Sequence, residues 1–183
     1  MKKVFLLFIL LSASCFSQDM EMLDLINQYR TKHNVEKLFY NKDLSSISER
    51  QLNLIKEKDS VYHTDDESLQ KKYSGEIALF SPHIFENDEQ KKIFIKFIKQ
   101  NFNFDYKEPE NETEVILLVK MLIIYDFNSS PKHRALLLNK SYRYIGFNYD
   151  VSNITKEDYM IQDYKNIYFP RFKFDCFCVM NLK

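Results

Sequence analysis

Residues Tyr125 to Tyr149 read Y-D-F-N-S-S-P-K-H-R-A-L-L-L-N-K-S-Y-R-Y-I-G-F-N-Y. An apolar run ends here, a polar turn follows, and a short helix then gives way to a strand. The Ser130 hydroxyl suits the cap of the short helix, and Pro131 suits its first position, where no amide N–H is needed. His133 then falls in the first helical turn. There the positive end of the helix dipole disfavours an imidazolium, so the ring is expected to be neutral at pH 7. A neutral imidazole can ligate a metal or accept a proton. Tyr144-Ile145-Gly146-Phe147 begins a strand, with Ile145, Phe147, Tyr149 and Val151 alternating on one face.

Upstream, Val115 to Phe127 is apolar throughout and follows Asn111-Glu112-Thr113-Glu114, a cap with glutamate three residues on. Its thirteen residues suit a core helix and are too few to span a bilayer. Near the start, Asp19 to His33 is helical, with Met22, Leu23, Ile26 and Tyr29 as the apolar stripe. His33 is expected at the surface near the end of that helix. A second helix carries Leu44, Ile47, Leu54 and Ile55 on one side and ends near Asp59-Ser60. Its Glu, Lys, Arg and Gln residues read as a solvated face. Ile77 to Phe80 reads as a short strand, and Ser81-Pro82-His83 as a helix start. Ile93, Phe94, Phe97 and Ile98 recur at helical spacing. Asn153 to Asp158 reads as a turn and Tyr159 to Phe169 as a further strand. Phe172, Phe174, Cys176, Cys178 and Met180 share one strand face.

The 183 residues carry 26 basic and 26 acidic side chains, so no charge excess argues for a nucleic-acid partner. The start has the order of a secretory signal: basic Lys2-Lys3, apolar Val4 to Leu11, then small residues up to Ser17. Residues 1–17 are read as the signal peptide and 18–183 as one domain, long enough for a sizeable core. Lipidation at Cys15 is the rival to cleavage after Ser17. The Lys-, Asn- and Phe-rich composition points to an AT-rich bacterial genome, and the expected location is secreted or periplasmic. Two glycines in the whole chain exclude a Gly-rich phosphate loop. Cys176 and Cys178, two apart on a strand, are badly placed to bridge each other. As a strand pair among phenylalanines they read as small hydrophobes; a nucleophile or a soft-metal C-x-C pair is the alternative.

The central stretch resembles the CAP superfamily of cysteine-rich secretory, venom-allergen and pathogenesis-related proteins. Bacterial members typically show W-x-x-S-P-G-H-R, a short helix, then an aromatic followed by I-G. Phe127, Ser130, Pro131, His133, Arg134, Ile145 and Gly146 fall in that register, with Phe127 in place of tryptophan and Lys132 in place of glycine. Ile26-Asn27-Gln28-Tyr29-Arg30, Leu38-Phe39-Tyr40-Asn41-Lys42-Asp43-Leu44 and Gly75-Glu76-Ile77 are similar to further family motifs. The resemblance implies an α+β fold, an α-β-α sandwich with a small antiparallel sheet, and leaves residues 85–106 as an altered or inserted region. It lacks the disulfide framework of eukaryotic members.

The resemblance also implies a central cleft. His63 and His133 correspond to the family's histidines and Glu76 to one of its two glutamates; Ser130 falls near the other. His63 and His133 would be the ligands of a divalent ion such as zinc, and Glu76 would orient an imidazole or serve as a base toward bound water. Three readings stay open: a module whose cleft binds a small ligand, lipid or metal; a metal-dependent hydrolase at the cell surface; and a protein-interaction module in the envelope with a vestigial cleft. For each residue a plain structural role competes. His63 can meet a helix C-terminal dipole, Glu76 can accept backbone N–H groups, and His133 can cap or pack.

Overall fold

The computed structural model describes residues 20–58, 60–63, 65–83, 88–160 and 168–183, by backbone alone at 80–83, 155–160 and 168–175. The expected signal peptide, with Cys15, lies outside the described residues. The elements in order are α1 (20–32), β1 (Phe39–Tyr40), α2 (Lys42–Lys58), α3 (Glu67–Gln70), β2 (Gly75–His83), α4 (Asp88–Phe102), α5 (Glu112–Ser129), α6 (Pro131–Leu137), β3 (Tyr144–Met160) and β4 (Tyr168–Leu182). The fold is α+β.

The sheet order is β1-β3-β4-β2. β4 runs antiparallel to both β3 and β2, but the short β1 pairs parallel to β3. The sheet is therefore mixed where an antiparallel one was expected. Tyr40 pairs with Ile145 from the α1–α2 connection; a parallel pairing needs a long crossover, and five described helices and β2 separate β1 from β3 in sequence.

Alternation sends the two sheet faces to two helical layers. Ile77, Ile145, Phe147, Cys176, Cys178, Met180 and Leu182 join α1, α4 and α5 in the main core. Ala78, Phe177 and Val179 face Leu52 and Ile55 of α2. This is the α-β-α sandwich. α5 lies at the middle of the larger layer and is apolar nearly all round, as a helix buried on most sides must be. Its buried Lys120 pairs with Glu21 of α1. Asn111 caps α5 by accepting from the Glu114 N–H at 3.0 Å, and Glu114 reaches back to the Glu110 N–H at 2.7 Å. None of the described helices is long and apolar enough to cross a membrane.

Several expectations are corrected. β3 continues through Asn153 to Asp158, where a turn was read. The register shifts between Ser152 and Thr155, with Asn153 at φ 54, so the polar cluster marks a bulge within the strand. Of Tyr159 to Phe169, read as a further strand, Tyr159 and Met160 belong to β3 and pair with Phe169 and Tyr168 of β4; residues 161–167 lie outside the described residues. His83 ends β2, paired with Lys173, and starts no helix. Ile93 is exposed, while Phe94, Phe97 and Ile98 carry the α4 contact. Leu52, not Leu54, completes the buried stripe of α2.

Both glycines serve close approach. A Cβ at Gly146 would lie 2.0 Å from the Ser45 backbone N and 2.2 Å from the Leu44 carbonyl carbon. α2 thus sits almost on the sheet, and its inner face is polar where it touches. Ser45 donates to the Phe147 carbonyl and Ser48 to the Gly146 carbonyl, both at 3.0 Å; Asn181 donates to the Ser48 Oγ at 2.9 Å.

The Ile-Asn-Gln-Tyr-Arg run of α1 supplies the other clamp. The Asn27 side chain bonds both the N–H and the C=O of Leu38, at 2.7 and 3.0 Å. Arg30, fully buried, donates to the carbonyls of Glu36 (2.8 Å), Leu137 (2.5 Å) and Asn139 (3.2 Å). Burial lowers its pKa to about 10, so it remains a cation at neutral pH. Gly146→Ala should cost about 3 kcal/mol or more, since backbone opposes the new methyl. Arg30→Ala should cost about 3 kcal/mol or more, because buried carbonyls lose their donor. Urea midpoints at pH 7.5 measure both, and a change within experimental error for either would overturn the packing described.

Candidate functional site

β2 is an edge of the sheet, and α6 lies against its start. A Cβ on Gly75 would meet Leu136 Cδ2 at 2.9 Å and the Tyr142 hydroxyl at 3.0 Å. The site forms where this covered edge meets the segment leaving α2. Gln51, buried on α2, donates from Nε2 to the Tyr62 carbonyl at 2.7 Å and so tethers the residue before His63. Gln51 was expected on the solvated face of α2; the close docking of that helix turns it inward instead.

His63 Nδ1 lies 3.0 Å from Glu76 Oε1. A carboxylate only accepts, so Nδ1–H donates, and in the neutral ring Nε2 is left as the acceptor. The His63 side chain is 65% exposed and that of Glu76 4%, so a buried carboxylate aims an imidazole that faces outward. The Tyr73 phenol lies close enough to Glu76 to feel its charge. Burial, then the Glu76 charge, pushes the Tyr73 phenol above its usual range, so it stays a donor. Tyr73 carried no motif signal; the nearest clue was its place two residues before Gly75-Glu76.

His133 stands in the first turn of α6 behind Pro131. Its ring packs edge-on against buried Phe127, centroids 5.7 Å apart. Burial lowers its pKa and the charge of His63 lowers it further, so the two imidazoles sense each other. The expected direction holds, through burial and a neighbouring ring. Ser130 accepts from the His133 N–H at 3.5 Å. It also accepts no role toward His63 or Glu76 among the hydrogen bonds of the described residues; its hydroxyl caps α6.

The donor set falls short of a catalytic zinc site. It offers two imidazoles, while Glu76 Oε1 is committed to His63, and zinc enzymes ordinarily use three protein ligands. Among the described residues, no group of three or more His, Cys, Asp or Glu could hold a metal ion. Cys176 and Cys178 are free and buried. Burial pushes Cys176 up to about 12 and Cys178 well above its usual value, which keeps both as inert thiols. His33 is half-buried, stacked edge-on against Tyr29 at 4.6 Å, where an exposed ring was expected.

The sequence model of the cysteine-rich secretory protein (CAP) family matches residues 23–164. The chain belongs to the CAP family. No curated protein matches the sequence. Among solved structures, an outer surface protein of Borrelia burgdorferi is similar at 16% identity and TM-score 0.46, covering 90% of this chain and 92% of its own. A cysteine-rich secretory protein of Staphylococcus aureus is similar at 16% identity and TM-score 0.45, covering 91% of this chain. This chain spans 38% of that protein's length. In this CAP domain the A-L-L-L run after His133 and Arg134 is what seats α6, with Leu137 fully buried and its carbonyl on Arg30.

The lowered pKa of His133 has a consequence for stability. Above about pH 6.5 the ring is neutral in folded and unfolded chains alike. As pH falls below that value the unfolded chain takes up the proton first, so stability is lost until the folded-state value is passed. His133→Gln should lose less stability than wild type between pH 7.5 and pH 5, read as the change in urea midpoint. His33 contributes loss of the same sign in both proteins. Equal losses in the two proteins would show that His133 is not held neutral by burial.

Proposed function

We propose that this CAP domain is a binding module whose cleft at the β2 edge takes a small polar ligand between His63 and His133. The observation that carries the reading is the His63–Glu76 bond, made between a loop and a strand; the His133 ring on α6 lies within range of the His63 charge. A buried carboxylate that fixes one imidazole nitrogen presents the other to a ligand in a set tautomer. His63 Nε2 then accepts from a ligand N–H or O–H, and the neutral His133 ring offers a second polar contact beside the apolar Phe127. Glu76 positions His63 in this reading and is not the base of a hydrolase. The resemblance of residues 1–17 to a signal peptide supports a place outside the cytoplasm.

Ligand-observed NMR with a panel of small alcohols, amides and carboxylates tests the cleft. Hits should shift the His63 and His133 ring signals, and should lose binding in His63→Ala. Hits that leave both rings unmoved would remove the cleft from the account. Zinc calorimetry at pH 7.5 separates this reading from metal chemistry. Wild type and His63→Ala/His133→Ala should give the same weak isotherm. A saturable wild-type site absent from the double variant would turn the assignment to a metal site.

A further inference from the structure

Arg134, next to His133 on α6, lines two depressions that meet around it. One, of about 660 Å³, includes Lys32, His33, Gln100, Asn101 and Asn128 in its walls. The other, of about 530 Å³, shares Arg134 and Asn128 and adds Pro131, Ala135 and Leu138. Neither is lined by His63, Glu76 or His133.

The charge of this groove is one-sided. Among the described residues, no carboxylate lines either depression. Lys99, also at the wall, has its charge matched by Asp105 at 2.7 Å. Lys32 and Arg134 make no ion pair among the described residues. Asn128 adds donors: its Oδ1 accepts from the buried Tyr29 hydroxyl at 2.7 Å, which leaves the amide N–H groups as its remaining polar capacity. His33 reports the same field. After burial, the charge of Arg134 and then that of Lys32 lower its pKa, against an opposing hydrogen bond that the ring donates to Asn101.

Unmatched cations in a concave site, with amide donors beside them, fit an oxyanion. The guanidinium fork matches two oxygens of one group, and the combined charge of Arg134 and Lys32 matches a phosphate, which carries about −1.5 to −2 at pH 7. We propose that this groove is a phosphate-binding site, with Arg134 as the bidentate donor and Lys32 and Asn128 as supporting donors. The apolar wall of Pro131, Ala135 and Leu138 continues from the anion position and gives room for a substituent on the phosphate.

The test uses the folded protein and the His33 ring proton signals in NMR, at constant ionic strength set with chloride. Inorganic phosphate should shift the His33 signals saturably and move its titration midpoint upward, because a bound anion offsets the neighbouring cations. Arg134→Gln and Lys32→Gln replace exposed side chains, so their thermal midpoints should match wild type. Each should weaken phosphate binding by about tenfold. Dodecyl phosphate below its micelle concentration identifies the source. Binding tighter than inorganic phosphate assigns an alkyl phosphate such as a lipid head group; equal binding assigns a free phosphate. No saturable shift of His33, or binding by Arg134→Gln as tight as by wild type, would overturn the proposal.

Discussion

The Arg30 guanidinium holds this molecule together at its least forgiving point. It is a fully buried charge that makes no ion pair among the described residues and is solvated by three backbone carbonyls. Such a group is tolerated inside a protein only when its donors are used. Two of those carbonyls, Leu137 and Asn139, lie at the C-terminal end of α6, where a helix leaves oxygens without partners. One interaction therefore satisfies a buried cation and closes a helix end, and it ties the first described helix to the short helix that carries His133 and Arg134.

A second constraint acts on the opposite layer. Gly146 removes the Cβ that would hold α2 away from the sheet. With the helix that close, apolar side chains do not fit at the contact, and Ser45, Ser48 and Asn181 replace them with hydrogen bonds. The same approach turns Gln51 inward to the Tyr62 carbonyl, which sets where His63 stands. The residues of the candidate site are thus held from both helical layers: α6 through Arg30, and the His63 segment through α2. Glu76 lies on the edge strand, with one oxygen on His63.

Much of this was legible in the sequence. The Ser130-Pro131 start of α6, the Asn111 cap of α5 and the alternation of Ile145 to Val151 and Cys176 to Met180 are local signals, and local structure follows them. His63, Glu76 and His133 were legible through motif resemblance, and His63 and Glu76 do meet. The misreadings share a cause. Asn153 to Asp158 has turn-forming residues, yet a long antiparallel partner keeps the segment in register and absorbs them as a bulge. Gln51 and Leu54 were placed by composition and spacing, which report the width of a helical stripe poorly when its neighbour is polar backbone. β1 is two residues long, too short for any period to show.

By itself the sequence determined most of the element types, the family and the identities of the chemical groups, because caps, alternation and motif spacing act over a few residues. Tertiary structure alone decided which polar groups are buried and what each of them holds. That outcome depends on approaches between distant segments: Gly146 on α2, Arg30 on the end of α6, and α6 on the β2 edge. Hydrophobic periodicity says which face of an element is apolar. It carries no information on which partner that face meets, nor on where a missing Cβ lets two backbones come close enough to exchange hydrogen bonds.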